Sequence, residues 1–363
     1  MTSARTDGWS SADWGVCLVP AGAVPPALAA DIRQRVGSTP AWLGHMAAVP
    51  WVARATSILS MRPAAFAPLP LCDLVALAVS QDNSCRYCYG VQRAYMTMLG
   101  YPDDYAARLE RDTYAGSLTP LERAALDLAR RLSRGQPRPG RADLDVLAAT
   151  GLSPEAAVEV VATIAAITFA NRLSTLLALP PDPLESMVDR PLFRLVRPLV
   201  AWKMRPRPLP PAVPLPAESG PWARVMTTLG RSPVAGELRR VVDDAFASPV
   251  LPRRTKALMT AVIGRALGCA YSEAEARRLA ADDGIGTADA DEILTNLGSS
   301  RLEARDARLL AFARETVRYQ TPVIQRRVRE VTAGFTPDQI LETVGVVSLA
   351  NLLARMTIVL DAC

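Results

Sequence analysis

Apolar residues recur three and four positions apart over 121–132 and 154–179, the spacing of one face of an α-helix. A further segment, Leu71 to Gln81, is apolar at nearly every position and also reads as a helix. Thr119-Pro120, Ser153-Pro154 and Thr336-Pro337 each put a capping hydroxyl before a proline. At the first helical position the missing N–H of proline costs nothing, so these pairs mark helix starts. No stretch alternates apolar and polar residues as a half-buried strand does. The pattern predicts an all-α fold. The most apolar run, "VVATIAAITFA" at 160–170, is bounded by Glu159 and by Asn171-Arg172 and reads as too short to span a bilayer.

The pattern also repeats. "DLVALAVSQDNSCRYCYGVQ" from Asp73 and "ALMTAVIGRALGCAYSEAEA" from Ala257 align at an offset of 184, pairing Cys85 with Cys269 and Tyr87 with Tyr271. "LERAALDLARR" from Leu121 matches "RDARLLAFARE" from Arg305 at the same offset. At an offset of 183, Pro154 pairs with Pro337, Glu159 with Glu342, Arg172 with Arg355, and Pro50 with Pro233. One register held over so long a span, with single-residue gaps, reads as a tandem duplication rather than a short-period solenoid. The expected organisation is an N-terminal repeat over 1–189, a Pro/Arg-rich linker over 190–221 and a C-terminal repeat over 222–363. Proline from Pro206 onward predicts a stiff, extended linker, and its first half can form a short basic amphipathic helix. Packing of that helix against a repeat is favoured over binding to a membrane surface.

Composition narrows the chemistry. Half of the 363 residues are hydrophobic, ample for a large core. The net charge of +5 is modest and the basic residues are spread among acids, so no nucleic-acid partner is expected. A single histidine, His45, rules out a His-rich metal site and any mechanism needing two imidazoles. The six cysteines, Cys17, Cys72, Cys85, Cys88, Cys269 and Cys363, do not space as a secreted disulfide framework. The first fifteen residues lack a basic start followed by an apolar run, so no secretory leader is expected. A reducing, cytoplasmic compartment follows as the expectation.

Cys85 and Cys88 are the chemical focus. "DNS" at 82–84 ends one helix and offers caps for the next, which predicts Cys85 in the first turn of that helix and Cys88 one turn further. A helix N-terminus favours a thiolate. Three-residue spacing puts both sulfurs on one face, where they can bridge. Two small core cysteines packed side by side are the competing reading. Zinc needs two further ligands that no second cysteine pair or histidine cluster supplies, so neither a metal nor a cofactor is expected.

The stretch "DLVALAVSQDNSCRYCYGVQ", and "FANR" closing the long apolar segment, resemble the alkylhydroperoxidase D-like, or carboxymuconolactone decarboxylase-like, proteins. The resemblance covers both repeats and implies two homologous helical bundles that assemble as homo-oligomers. In the redox members an acid precedes the C-x-x-C by twelve residues and a histidine follows it by four. Here the thiol positions are Cys85 and Cys88, the acid position is Asp73 and the histidine position is Gln92. Tyr87, between the thiols, completes the candidate site. Gln92 departs from the family pattern, because an amide cannot take up a proton at neutral pH. The dipole argument favours Cys85 as nucleophile, whereas the family's proton relay points to Cys88. In the second repeat Ser272, Ala257 and Ala276 replace the second thiol, the acid and the histidine, so no dithiol cycle is expected there. A structural role for that half is favoured over a lone reactive Cys269.

The resemblance implies a thiol-dependent peroxidase or disulfide oxidoreductase. Its partners are a hydroperoxide or other small-molecule substrate and an external dithiol reductant. Two alternatives stay open: a non-redox decarboxylase- or isomerase-like enzyme on the same scaffold, and a non-catalytic binding or scaffold protein. His45 reads as a packed or surface residue rather than a substitute base, and Cys72 as buried. Arg172 and Arg355 read as helix caps or as partners of an acid within their bundle.

Overall fold

The computed structural model describes residue 14 and residues 16–60, 64–102, 118–204, 209–216 and 220–360. Among these there are helices and no strands, as the periodicity requires. The hydroxyl-proline pairs start helices where expected. Thr119 and Thr336 each form a reciprocal capping box with the residue three positions on, and Ser153 accepts the N–H of Ala156.

Two long core helices, Pro154–Leu177 and Pro337–Val359, pack against each other in the middle of the molecule. Both are long and apolar enough to cross a membrane, yet the most apolar eighteen-residue stretch of each lies inside the protein. The run at 160–170 is therefore part of a longer helix than its flanking polar residues indicate. Burial within the protein, rather than shortness, accounts for its composition.

Around this pair the helices recur in order. Leu69–Asp82, Arg86–Met98 and Pro120–Arg134 in the first half correspond in position to Arg253–Ala266, Ala270–Asp282 and Ala304–Glu315 in the second. The backbone repeats too: Cys85 and Cys269 are both extended N-cap residues, at φ −87°, ψ 95° and φ −93°, ψ 90°. One hydrophobic core runs through both sets.

Buried polar groups tie the halves together. Glu159 accepts the backbone N–H groups of Ala65, Phe66 and Ala67 at 2.8–3.0 Å and the Ser232 hydroxyl at 2.7 Å. Its counterpart Glu342 accepts Trp51 Nε1 at 2.6 Å and Lys256 Nζ at 3.2 Å. Arg172 donates to the carbonyls of Thr316 (3.0 Å) and Val317 (2.9 Å), and Arg355 to those of Ser133 (3.3 Å) and Val317 (2.8 Å). Neither arginine pairs with an acid in these bonds; both cap the C-terminal ends of neighbouring helices, Arg172 at the end of Ala304–Glu315 and Arg355 at that end and in the last turn of Pro120–Arg134. Five N–H donors on a rigid fork suit that task.

Candidate active site

The acid helix, Leu69–Asp82, and the thiol helix, Arg86–Met98, are joined by a tight corner in which Ser84 takes a left-handed conformation, φ 49°. That corner shifts the expected placement by one residue. Cys85 lies ahead of the first turn as its N-cap, and Cys88 lies within that turn. The Cys88 N–H donates to Cys85 Sγ at 3.4 Å, so the cysteine takes the part usually played by serine or aspartate.

The two thiols differ in environment. Cys85 is fully buried, whereas Cys88 is half-buried. Burial, then the neighbouring Cys88 sulfur, push the Cys85 thiol well above the ordinary range. Burial also acts to raise Cys88, but hydrogen bonds from Cys85, Ser174 and Asn171 outweigh it and bring Cys88 below that range. Ser174 Oγ stands 3.5 Å from Cys88 Sγ. The helix-dipole argument for Cys85 fails because the N-cap sulfur is sealed in the core. Desolvation of the charged form exceeds the benefit of the dipole.

Asp73 and Gln92, placed at the acid and histidine positions by the resemblance, come together. Gln92 Nε2 donates to Asp73 Oδ1 at 3.2 Å and to its carbonyl at 3.4 Å, and Tyr101 donates its hydroxyl to Asp73 Oδ2 at 3.0 Å. Gln92 lies one helical turn beyond Cys88 on the thiol helix, so its bond to Asp73 brings the acid of the neighbouring helix to within a turn of the thiols. A cavity of about 530 Å³ opens on Asp73, lined by Leu69, Pro70, Leu99, Gly100, Tyr101 and Pro102.

Tyr87 is engaged elsewhere. Its hydroxyl donates to Asp182 at 3.1 Å, and burial followed by the Asp182 charge hold it protonated. Asp182 caps a short strap helix, Pro183–Val188, that lies on the thiol helix. Arg86 fixes the strap through Glu185, donating at 3.0 and 2.8 Å to its two oxygens. Gly90 makes room for it: a Cβ there would fall 2.3 Å from a Glu185 carboxylate oxygen. Gly90→Ala is therefore expected to break the Arg86–Glu185 pair and lift the strap. Faster alkylation of Cys88 by iodoacetamide reads this out, and an unchanged rate would show that the strap does not screen the thiol.

The second half has no equivalent chemistry. Ser272, in place of the second thiol, receives the indole N–H of the fully buried Trp222 at 3.3 Å. Ala257 and Ala276 are buried without a polar group. Cys269 is disulfide-bonded, which removes the reading of a lone reactive thiol, and Cys363 lies outside the described residues. Cys72 is buried against the Thr163 hydroxyl at 3.7 Å, and Cys17 is half-buried. His45 Nδ1 meets the Val19 carbonyl at 2.7 Å, the packed role expected of it. Among the described residues no cluster of His, Cys, Asp or Glu fits a metal ion.

Tyr101, Asn171, Ser174, Asp182 and Glu185 are the residues that sequence spacing missed. For Asn171 and Ser174 a signal exists, namely polar residues one turn apart inside a core helix whose other positions are mostly apolar.

No protein-family model matches the chain, and no curated protein matches it. Among solved structures, the chain is similar to a peroxidase-related protein with an alkylhydroperoxidase core from Ralstonia eutropha JMP134. The match has a TM-score of 0.41 and 18% identity, and covers 47% of this chain and 94% of that one.

Proposed function

We propose that the chain is a thiol-dependent peroxidase or disulfide oxidoreductase in which Cys88 attacks and Cys85 resolves. The observation that carries this reading is the asymmetry of the pair. One thiol is accessible and biased toward thiolate, and its neighbour is buried and protonated. In the first step the Cys88 thiolate attacks the outer oxygen of a hydroperoxide. The O–O bond breaks, Cys88 becomes a sulfenic acid, and the alkoxide leaves as an alcohol after taking a proton from water. In the second step the Cys85 sulfur attacks Cys88, the S–O bond breaks, and hydroxide leaves with the Cys85 proton as water. An external dithiol then reduces the Cys85–Cys88 disulfide by exchange and is itself oxidised. Gln92 holds Asp73 in place but carries no proton itself.

The chain is further read as a fused pair of homologous units joined through residues 190–221, the second retained for structure, with the fused pair assembling as a homo-oligomer.

One observation favours a second reading. The cavity reaches Asp73 and Tyr101, and its described lining includes neither cysteine. A carboxylate and a phenol facing a cavity can transfer protons on a small molecule without thiols. Turnover of cumene hydroperoxide with dithiothreitol separates the two. The peroxidase reading expects the Cys85→Ser/Cys88→Ser double variant to be inactive and Asp73→Asn to be slower by about 100-fold. No turnover by the wild type, with a non-redox activity lost only in Asp73→Asn, would establish the second reading instead.

A further inference from the structure

The linker helix Pro191–Met204 is built inside out. It packs on the thiol helix, Phe193 is buried, and Ala201 lies against Gly100. Five of its apolar residues point to solvent: Leu192 (71% exposed), Leu195 (78%), Val196 (43%), Leu199 (66%) and Trp202 (75%). The intervals of three and four between them make one continuous stripe along the helix. These five are nearly half of the eleven large apolar side chains exposed among the described residues, so the stripe is a concentration and not ordinary scatter. The segment around it is wholly basic. From Arg190 to Arg207 there are six arginines and lysines and no acid, more positive charge than the +5 carried by the whole chain.

We propose that this helix docks the protein on an anionic lipid surface, with the apolar stripe in the headgroup–acyl boundary and the basic residues at the phosphates. Both features have a use at that one partner. An apolar stripe ending in tryptophan gains by leaving water at a membrane interface, and a cationic segment gains from the negative leaflet. A second copy of the chain fits less well. A symmetric contact through this stripe sets two acid-free basic segments against each other, and the like charges repel. A nucleic acid would use the charge and leave the stripe in water.

The test is co-sedimentation of the full-length protein with vesicles, one set of pure phosphatidylcholine and one containing phosphatidylglycerol. The expected result is at least about tenfold more protein bound to the anionic set, with binding weakened by salt as screening requires. Leu195→Glu together with Leu199→Glu abolishes it while the helical circular dichroism stays unchanged, since both side chains are exposed. Three results overturn the proposal. In the first, the wild type binds neither vesicle. In the second, binding survives in the double variant, which places it elsewhere on the surface. In the third, the wild type self-associates through the stripe and the variant is the smaller species, with no vesicle binding by either.

Discussion

Replacing Cys88 by serine is expected to reduce hydroperoxide turnover by more than about a thousandfold, to the background reaction of the free reductant. Cys85→Ser should behave differently. Its Cys88 still has Ser174 and Asn171 beside it and is still reached from solvent, so it undergoes one oxidation and stalls as the sulfenic acid. A dimedone adduct on Cys88 in that variant, absent in Cys88→Ser, is the measurement that checks this. The pH dependence follows from the same asymmetry. Because Cys88 is held below the ordinary thiol range, its alkylation rate should reach a plateau below the pH at which a free cysteine does. Cys85, pushed well above that range by burial and by its neighbour, should contribute no inflection near neutrality. Equal effects of both substitutions would mean that the two sulfurs are interchangeable.

The second large effect concerns stability. Glu159 is buried and its two oxygens serve three consecutive backbone N–H groups and the Ser232 hydroxyl. Glu159→Ala leaves those donors, which are buried or half-buried, without their acceptor, each losing the bond that offset its desolvation. A loss of about 4 kcal/mol or more is expected, read as a lower midpoint of urea unfolding. Glu159→Gln keeps one carbonyl acceptor and should lose less. The segment it holds, 65–67, leads directly into the acid helix, so Glu159→Ala should also disturb Asp73. An unchanged midpoint would show that water takes over the acceptor role in the core.

Much of this fold was legible because its signals are local. A hydroxyl before a proline fixes a helix start whatever surrounds it, and the 3.6-residue period survives in any register. The offset of 183–184 could be read because equivalent positions keep residues such as Glu159 and Glu342, each buried and each accepting several donors. The start of the thiol helix lies one residue later than the spacing suggests because its cap is itself a cysteine, a residue with weak capping propensity. The choice of nucleophile was not legible, since it depends on which sulfur the core seals and on Ser174 and Asn171, some ninety residues away in the chain. The same holds for Arg172 and Arg355. A buried guanidinium suggests a carboxylate partner in sequence, and only packing shows that helix-end carbonyls take its place.

The most direct test of the central claim is the intact mass of the reduced protein before and after one equivalent of hydroperoxide, followed by peptide mapping. The account expects the loss of two hydrogens and a disulfide joining Cys85 to Cys88, reversed by a dithiol. A mass that does not change, or a bond that forms between any other pair, would contradict it.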